Sequence, residues 1–409
     1  MKTKLTNKQY VVPFILITSL FFLWGFARAI LDVLNVHFRD TLDISITQSS
    51  LIQVVTYLGY FLMAIPAGMF INRYGYKRGV VFGLILYALG SFLFVPCSGL
   101  GGFAPFLICL FVIACGLAIL ETAANPYSAE LGPKETSAAR LNLSQSFNGF
   151  GSCLAPVIVG GFLFTNETAH VNVPYVIMGG VVVVVAIIFS FCKLPEIKHE
   201  DVANEAEQVN SDVKSNVYKL LTNKMFIIGV IALFSYEVAE ISINSYFVIF
   251  TTGLDIFSAQ TASKVLSYAL MFFMIGRFVG SWVMKSVSAE RTLFFCAAGT
   301  VICMIGVIVT SISERNDTSW TRYIPLAFLL ANYVFEAIMF PTIFSIAIKG
   351  LGNQTKTASS ILMMTPIGGC AFLLVAFLAD NTGFIIPFVI PLIGYAIVWA
   401  FAKLSLPIK

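Results

Sequence analysis

The feature that most constrains the fold is a succession of long apolar runs separated by short polar segments. An apolar run of about 18 or more residues is long enough to cross a bilayer as a helix. We therefore predict an all-α membrane protein with twelve transmembrane helices. The predicted spans are approximately 11–36, 48–71, 79–97, 104–130, 141–165, 174–192, 225–251, 261–284, 292–312, 322–347, 357–379 and 384–404.

The composition excludes several classes of function. Charged residues make up 11% of the chain, whereas a soluble domain carries about 25%. No nucleotide-binding loop, metal-ligand cluster or soluble catalytic segment interrupts the apolar runs, so we predict neither an enzyme nor a cofactor or metal site. The eight cysteines lie mostly inside the runs, where they read as small core residues. We expect the lipid bilayer as the surroundings and no nucleic-acid partner.

The basic residues indicate the orientation in the membrane. With both termini in the cytoplasm, most lysines and arginines fall in inner segments, and the outer loops hold Arg39, Lys264, Arg315 and Arg322. An excess of positive charge on the cytoplasmic side is the usual arrangement. We therefore predict a multi-pass protein of the cell inner (plasma) membrane with both termini inside.

One long charged stretch, 193–224, divides the predicted spans into six and six. It reads as a cytoplasmic linker between two halves. The predicted domains are an N-terminal six-helix half over 1–192, the linker over 193–224 and a C-terminal six-helix half over 225–409.

An internal repeat supports two halves of the same topology. At an offset of 212 residues, "LDISITQ" at 42–48 falls on "LDIFSAQ" at 254–260, and at an offset of 215 Glu121 falls on Glu336. Each match is short, and chance similarity between hydrophobic helices is the alternative. Matches in the same order at nearly one offset favour two parallel six-helix halves, as in secondary transporters with a site between repeats.

The loop between the second and third spans, "GMFINRYGYKRG" at 68–79, is similar to the loop signature of the major facilitator superfamily. It carries Asn72 where the superfamily usually has an aspartate. The stretches "SLFFLWGFARAILD", "LETAANPYSAELGP", "RLNLSQSFNGFG" and "FPTIFSIAIKGLG" resemble the fucose permease branch, the fucose/galactose/glucose:proton symporters. That resemblance implies a proton-coupled sugar transporter that works by alternating access.

Seven charged residues lie inside the predicted spans, away from the first and last few residues of each span. A charge at the bilayer centre costs roughly 2.5–3.5 kcal/mol on insertion scales, so such residues normally face a cavity or a partner. They are therefore the first candidates for function. These residues are Arg28, Asp32, Glu121, Glu237, Glu240, Arg277 and Glu336.

Glu121 and Asp32 are the predicted proton carriers. Glu121 lies in "AILETAANPY", where small neighbours let a helix or a ligand approach closely. An apolar wall disfavours the charged form of a carboxylate, which suits a group that binds and releases a proton. The resemblance implies a proton-coupling role for Asp32. The alternative for both is a structural carboxyl that bonds a neighbouring helix.

Five uncharged residues of the N-terminal half are predicted sugar contacts. Gln145 and Asn148 are three residues apart on one helical face, and their amides both donate and accept, as sugar hydroxyls require. The resemblance implies sugar contacts at these two positions. Asn125 follows Glu121 by one turn, and Gln53 and Tyr57 share a face of the second span. Interhelical hydrogen bonds are the alternative role for such residues.

Arg28 has three possible partners. It lies four residues before Asp32, so a local ion pair is the simplest arrangement. The repeat instead sets Arg28 against Glu240 and Asp32 against Asn244, on a seventh-span face that also carries Glu237. We therefore predict a cross-half ion pair of Arg28 with Glu240 or Glu237, and a sugar contact at Asn244.

The third possible partner of Arg28 is the substrate. We predict a proton-coupled monosaccharide symporter that imports a neutral hexose or 6-deoxyhexose and functions as a monomer. The alternative is an importer of an acidic or N-acetylated sugar such as sialic acid, with Arg28 as the carboxylate contact. Arg277 is expected to have a structural role. The fucose permease branch lacks an acid at the place of Glu336, so the resemblance assigns Glu336 no role.

Overall fold

The computed structural model describes residues 6–133, 137–165, 171–192, 220, 222–284, 286–313, 320–351, 358 and 361–406. Within these ranges twelve helical segments, named α1 to α12, are long and apolar enough to cross a membrane, which confirms the predicted fold class. Their bounds are Lys8–Leu42, Ile46–Ile71, Tyr76–Ser98, Ala104–Asn125, Leu143–Phe164, Asn172–Phe191, Lys224–Gly253, Ala259–Gly280, Ala289–Ile312, Trp320–Ala347, Thr365–Thr382 and Ile386–Ser405.

The packing partners of α3 recur six spans later around α9. In the N-terminal half α3 packs against α4 and α6, and in the C-terminal half α9 packs against α10 and α12. The additional contacts of α1 with α5 and of α2 with α4 complete the N-terminal set. Equivalent neighbours six spans apart are what an internal repeat predicts.

Contacts between Cα atoms divide the chain into two compact units. The first contains Met1–Ile197 together with Ser245–Met271, and the second contains Lys198–Asn244 together with Phe272–Lys409. The end of α7 and the start of α8 thus belong to the first unit. Most of the predicted linker 193–224 lies outside the described residues, and the domain boundaries taken from the repeat remain a prediction.

The first helix continues beyond its predicted end at residue 36. Arg39 and Asp40 interrupt the apolar pattern, but the helix persists to Leu42 and ends at Asp43, which has a positive φ of 50°. The Phe38 ring explains this extension, since it packs between the rings of Phe103 and Phe106 with centroid distances of 5.3 and 5.0 Å. Tertiary packing therefore overrides the polarity of the sequence here.

Several transmembrane helices depart from regular α geometry, and the departures in α5, α10 and α11 are the most extensive. α5 contains a π-helical turn at Pro156–Gly160, and α11 begins as a 3₁₀ helix at Thr365–Ala371. α10 is interrupted after Glu336 and resumes at Met339. Such irregular turns in membrane helices are frequent at functional sites and are tolerated where protein covers the freed backbone groups.

Two glycines bring α1 and α5 into backbone contact. A Cβ atom at Gly25 would overlap the carbonyl of Asn148, and one at Gly151 would overlap the carbonyl of Phe22. Ser152 Oγ also donates to the Gly25 carbonyl at 3.1 Å. Small residues at helix contacts let the backbones approach closely, which is a main source of attraction between helices in lipid.

We expect Gly151→Val to destabilise the protein, because the added side chain must push α5 away from α1. Overpacking typically costs about 1–3 kcal/mol. The same substitution at Gly180 in α6 is the matched control, since a Cβ there meets nothing within 4 Å. Thermal unfolding of both variants in detergent, followed by size-exclusion chromatography, measures the difference. Equal melting temperatures of the Gly151→Val and Gly180→Val variants would contradict the close contact between α1 and α5.

Candidate functional site

Aromatic and basic side chains of α1 and α2 meet within the first unit. Arg28 Nε donates to Tyr57 Oη at 3.2 Å, and the guanidinium carbon lies 5.8 Å from the centre of the Tyr57 ring. Trp24 Nε1 donates to Tyr60 Oη at 2.7 Å. Arg28 and Tyr57, which were both predicted to contact the substrate, are therefore joined by a direct hydrogen bond.

Glu121 lies on α4 in the wall of a small cavity between α1 and α4. Its carboxylate is near enough to Arg28 and to Tyr60 for their charges to interact. A carboxyl and a guanidinium thus lie close to one another in an otherwise apolar surrounding. The cavity is lined by Leu20, Phe21, Trp24, Leu120, Glu121 and Ala124.

Three predicted amides lie on α4 and α5. Gln145 Nε2 donates to Asn125 Oδ1 at 3.4 Å, so these two side chains are neighbours across the two helices. Asn125 is one helical turn after Glu121, which places it on the same face of α4. Asn148 Nδ2 donates to the Phe21 carbonyl at 3.3 Å. Gln145 and Asn125 are thus neighbours of the Glu121 pocket, whereas the observed bond of Asn148 joins α5 to α1.

Asp32 takes part in a buried hydrogen-bond chain that joins α1, α2 and the end of α7. Ser245 Oγ donates to Asp32 Oδ1 at 2.8 Å, and Gln53 Nε2 donates to Ser245 Oγ at 3.0 Å. The exposed fractions of Asp32, Ser245 and Gln53 are 9%, 0% and 1%. Gln53 is therefore engaged with Ser245, although the sequence suggested a sugar contact.

The sequence reasoning missed Ser245. The repeat offset of 212 places Asn244 opposite Asp32, but the bonded residue is the next one, at a separation of 213. Serine is common in membrane helices because its hydroxyl can also bond the preceding turn of its own helix. A serine in a single sequence therefore gives little indication of a functional role. The internal repeat was the one feature that pointed to the correct turn of α7.

The acidic face predicted on α7 lies in the second unit. Asn244 Nδ2 donates to Glu240 Oε1 at 3.4 Å, one helical turn away, and Glu237 is buried. The predicted ion pair of Arg28 with Glu240 or Glu237 joins residues of different units and stays a prediction. The predicted sugar contact at Asn244 likewise remains untested.

A second buried carboxyl occupies the middle of the second unit. Glu336 Oε2 accepts from Asn332 Nδ2 at 2.8 Å and from the hydroxyl of Tyr395. Nearby, Arg277 Nε donates to the Ala337 carbonyl at 3.3 Å. The structural role expected for this arginine stays a prediction. The sequence marked Glu336 as unusual but gave no indication of its partners Asn332 and Tyr395.

The site residues of the first unit can together perform two kinds of chemistry. Two carboxyls surrounded by protein are suited to binding and releasing protons. Neutral amides, phenols and an indole beside them are suited to a polar ligand with apolar faces.

Comparison with known proteins identifies the family. Residues 17–373 match the profile of the Major Facilitator Superfamily. The chain is 36% identical over 402 residues to a glucose/galactose transporter of Brucella abortus, covering 96% of this chain and 93% of that protein. It is 32% identical over 424 residues to the L-fucose-proton symporter of Escherichia coli, covering 97% and 94%.

Solved structures agree with this result. The crystal structure of FucP in the outward conformation matches with a TM-score of 0.69 and 30% identity, over 98% of this chain and 100% of that chain. A D-xylose-proton symporter has a TM-score of 0.75 over 95% of this chain and 97% of that chain, and its 14% identity supports the fold alone. The chain therefore belongs to the Major Facilitator Superfamily, within the family that contains the glucose/galactose transporters and the L-fucose-proton symporters.

Proposed function

We propose that the protein is a proton-coupled monosaccharide symporter that imports its sugar by alternating access. The observation that carries this proposal is a group of polar side chains around Glu121 within one unit. The Glu121 carboxyl interacts with the Arg28 guanidinium, and one helical turn further along α4 the Asn125 amide is bonded to the Gln145 amide. Relatives that cover nearly the whole chain are named as glucose/galactose and L-fucose-proton transporters, which supports the same conclusion.

The proposed substrate is a neutral hexose or 6-deoxyhexose. Amides of Gln145 and Asn125 can both donate to and accept from sugar hydroxyls, and the rings of Trp24 and Tyr57 can cover an apolar sugar face. An acidic or N-acetylated sugar is the alternative. A carboxylate ligand would have to compete with Glu121 for Arg28, because the two side chains already interact. This competition favours the neutral sugar.

Glu121 and Asp32 are the proposed proton carriers. Each is an acid in a transmembrane helix, where a net charge is costly unless it is paired or protonated. In the proposed cycle, protons and sugar bind from outside, the protein changes conformation, and both carboxyls lose their protons to the cytoplasm. Inward transport then draws its free energy from an acidic exterior. We also propose that the protein functions as a monomer in the inner membrane with both termini in the cytoplasm.

Uptake of labelled D-glucose, D-galactose, L-fucose and sialic acid into proteoliposomes tests the substrate class. We expect a neutral sugar to accumulate when the exterior is acidic. A one-unit pH difference corresponds to about 1.4 kcal/mol, so each proton that accompanies a sugar contributes a roughly tenfold concentration ratio. Liposomes without the protein are the control. If sialic acid alone accumulates, the neutral-sugar proposal is wrong.

Replacement of Glu121 by Gln is expected to lower the accumulation sustained by a one-unit pH difference about tenfold, because the amide cannot carry one of the protons. Exchange of labelled for unlabelled sugar should persist, since it needs no net proton movement. Glu290→Gln is the matched control, because Glu290 is an acid of the other unit that forms a salt bridge with the exposed Lys349 at 2.8 Å. If the Glu121→Gln variant accumulates as much sugar as the original protein, Glu121 is not a proton carrier.

Ser245→Ala removes the hydroxyl that joins Asp32 to Gln53. The variant leaves buried polar groups without this partner, at a cost of about 1–3 kcal/mol. We expect a lower melting temperature in detergent. Ser245→Thr keeps the hydroxyl and is expected to restore much of the stability. A Ser245→Ala variant as stable as the original protein would show that the chain contributes little to holding Asp32.

A further inference from the structure

Glu336 is a buried acid to which the proposed transport cycle assigns no task. It is the last residue of the α-helical segment of α10 that precedes the interruption, Ile324–Glu336, and its exposed fraction is 0%. The helix is interrupted at Ala337 and Ile338 before it resumes at Met339. The carboxyl therefore lies directly at a break in a transmembrane helix.

The two carboxyl oxygens have different surroundings. Oε2 accepts from the Asn332 amide at 2.8 Å and from the Tyr395 hydroxyl, and Asn332 Nδ2 also lies 3.2 Å from Tyr395 Oη. Among the described residues, buried Oε1 has no hydrogen-bond partner. Neutral donors from α10 and α12 thus fix one oxygen and leave the other available.

Titratable groups face Glu336 from each helix packed around it. α7 contributes Glu240 and Tyr236, α8 contributes Arg277, and α9 contributes Cys303. Tyr395 on α12 completes this set. Glu240 is a second acid, so ionisation of both carboxyls would place like charges in the same interior.

Arg277 is the positive charge of this set. Its Nε is bonded to the Ala337 carbonyl at 3.3 Å, and the guanidinium carbon lies 4.5 Å from the centre of the Phe273 ring. Arg277 is thus anchored to the residue that follows Glu336, at the helix break. A rearrangement of the break changes the distance between the guanidinium and the carboxyl, and with it the stability of a negative charge on Glu336.

We propose that Glu336 is a proton-binding site of the second unit, which is loaded and unloaded during transport. The carboxylate takes up one proton, and the neutral carboxyl keeps Asn332 and Tyr395 as partners. Rearrangement of the break brings Arg277 closer, and the proton leaves Glu336. This inference rests on the proposed symport and adds a proton to those carried by Asp32 and Glu121.

Transport by Glu336→Gln tests the added proton. Proteoliposomes are loaded with a pH-sensitive dye, and uptake of labelled D-glucose, D-galactose or L-fucose is measured together with proton entry. We expect the variant to exchange sugar but to lose one of the protons that accompany each molecule. The ratio of the sugar concentration inside to that outside, sustained by a one-unit pH difference, should fall about tenfold. Glu290→Gln is the control. An unchanged proton-to-sugar ratio would overturn the proposal.

Infrared spectroscopy of the purified protein gives a readout that does not depend on transport. The difference between the original protein and Glu336→Gln should contain the carbonyl stretch of a protonated carboxyl, and this band should disappear as the pH is raised. A band that is absent at every pH, or constant at every pH, would overturn the proposal. Should Glu336→Gln not fold, Glu336→Asp provides the same comparison through a shift of the band.

The two experiments separate this inference from the proposed function. If the original protein moves no protons with sugar, the symport proposal fails, whatever the infrared band shows. If protons accompany the sugar and the Glu336 band does not titrate, the symport proposal stands and the inference fails.

Discussion

The absence of water from the bilayer interior is the constraint on which this structure depends. Each polar group placed in a transmembrane helix needs a partner supplied by the protein, because lipid offers none. Asp32 obtains its partner from Ser245, and Glu336 obtains two from Asn332 and Tyr395. The same rule that makes these acids costly also makes them the first candidates for a functional role.

This constraint explains why so much of the fold could be predicted from the sequence. Apolar runs long enough to cross the bilayer have few alternatives to a helix, so all twelve spans were found. Their ends were less predictable, because they depend on packing. Nothing in the sequence near Arg39 indicates that Phe38 packs on Phe103 and Phe106 and carries the helix onward. The interruptions in α5, α10 and α11 likewise depend on neighbouring helices.

The candidate site was predictable where its residues are rare in lipid, and less so where they are common. Charged residues such as Glu121 are conspicuous in an apolar run. Hydroxyl partners such as Ser245 and Tyr395 are not, since serine and tyrosine occur throughout membrane helices. The repeat identified the correct turn of α7 but missed the bonded residue by one position. The short sequence matches of the repeat predict which face of a helix is equivalent in the two halves. They do not predict which side chain on that face forms a hydrogen bond.

The close approach of α1 and α5 at Gly25 and at Gly151 has a consequence for how the candidate site can move. With no side chain between the two backbones, α1 and α5 cannot slide or rotate past one another without a collision. α1 carries Arg28 and Asp32, and α5 carries Gln145. A displacement of one helix therefore displaces the other. Arg28, Asp32 and Gln145 are then expected to move together as parts of one rigid helix pair.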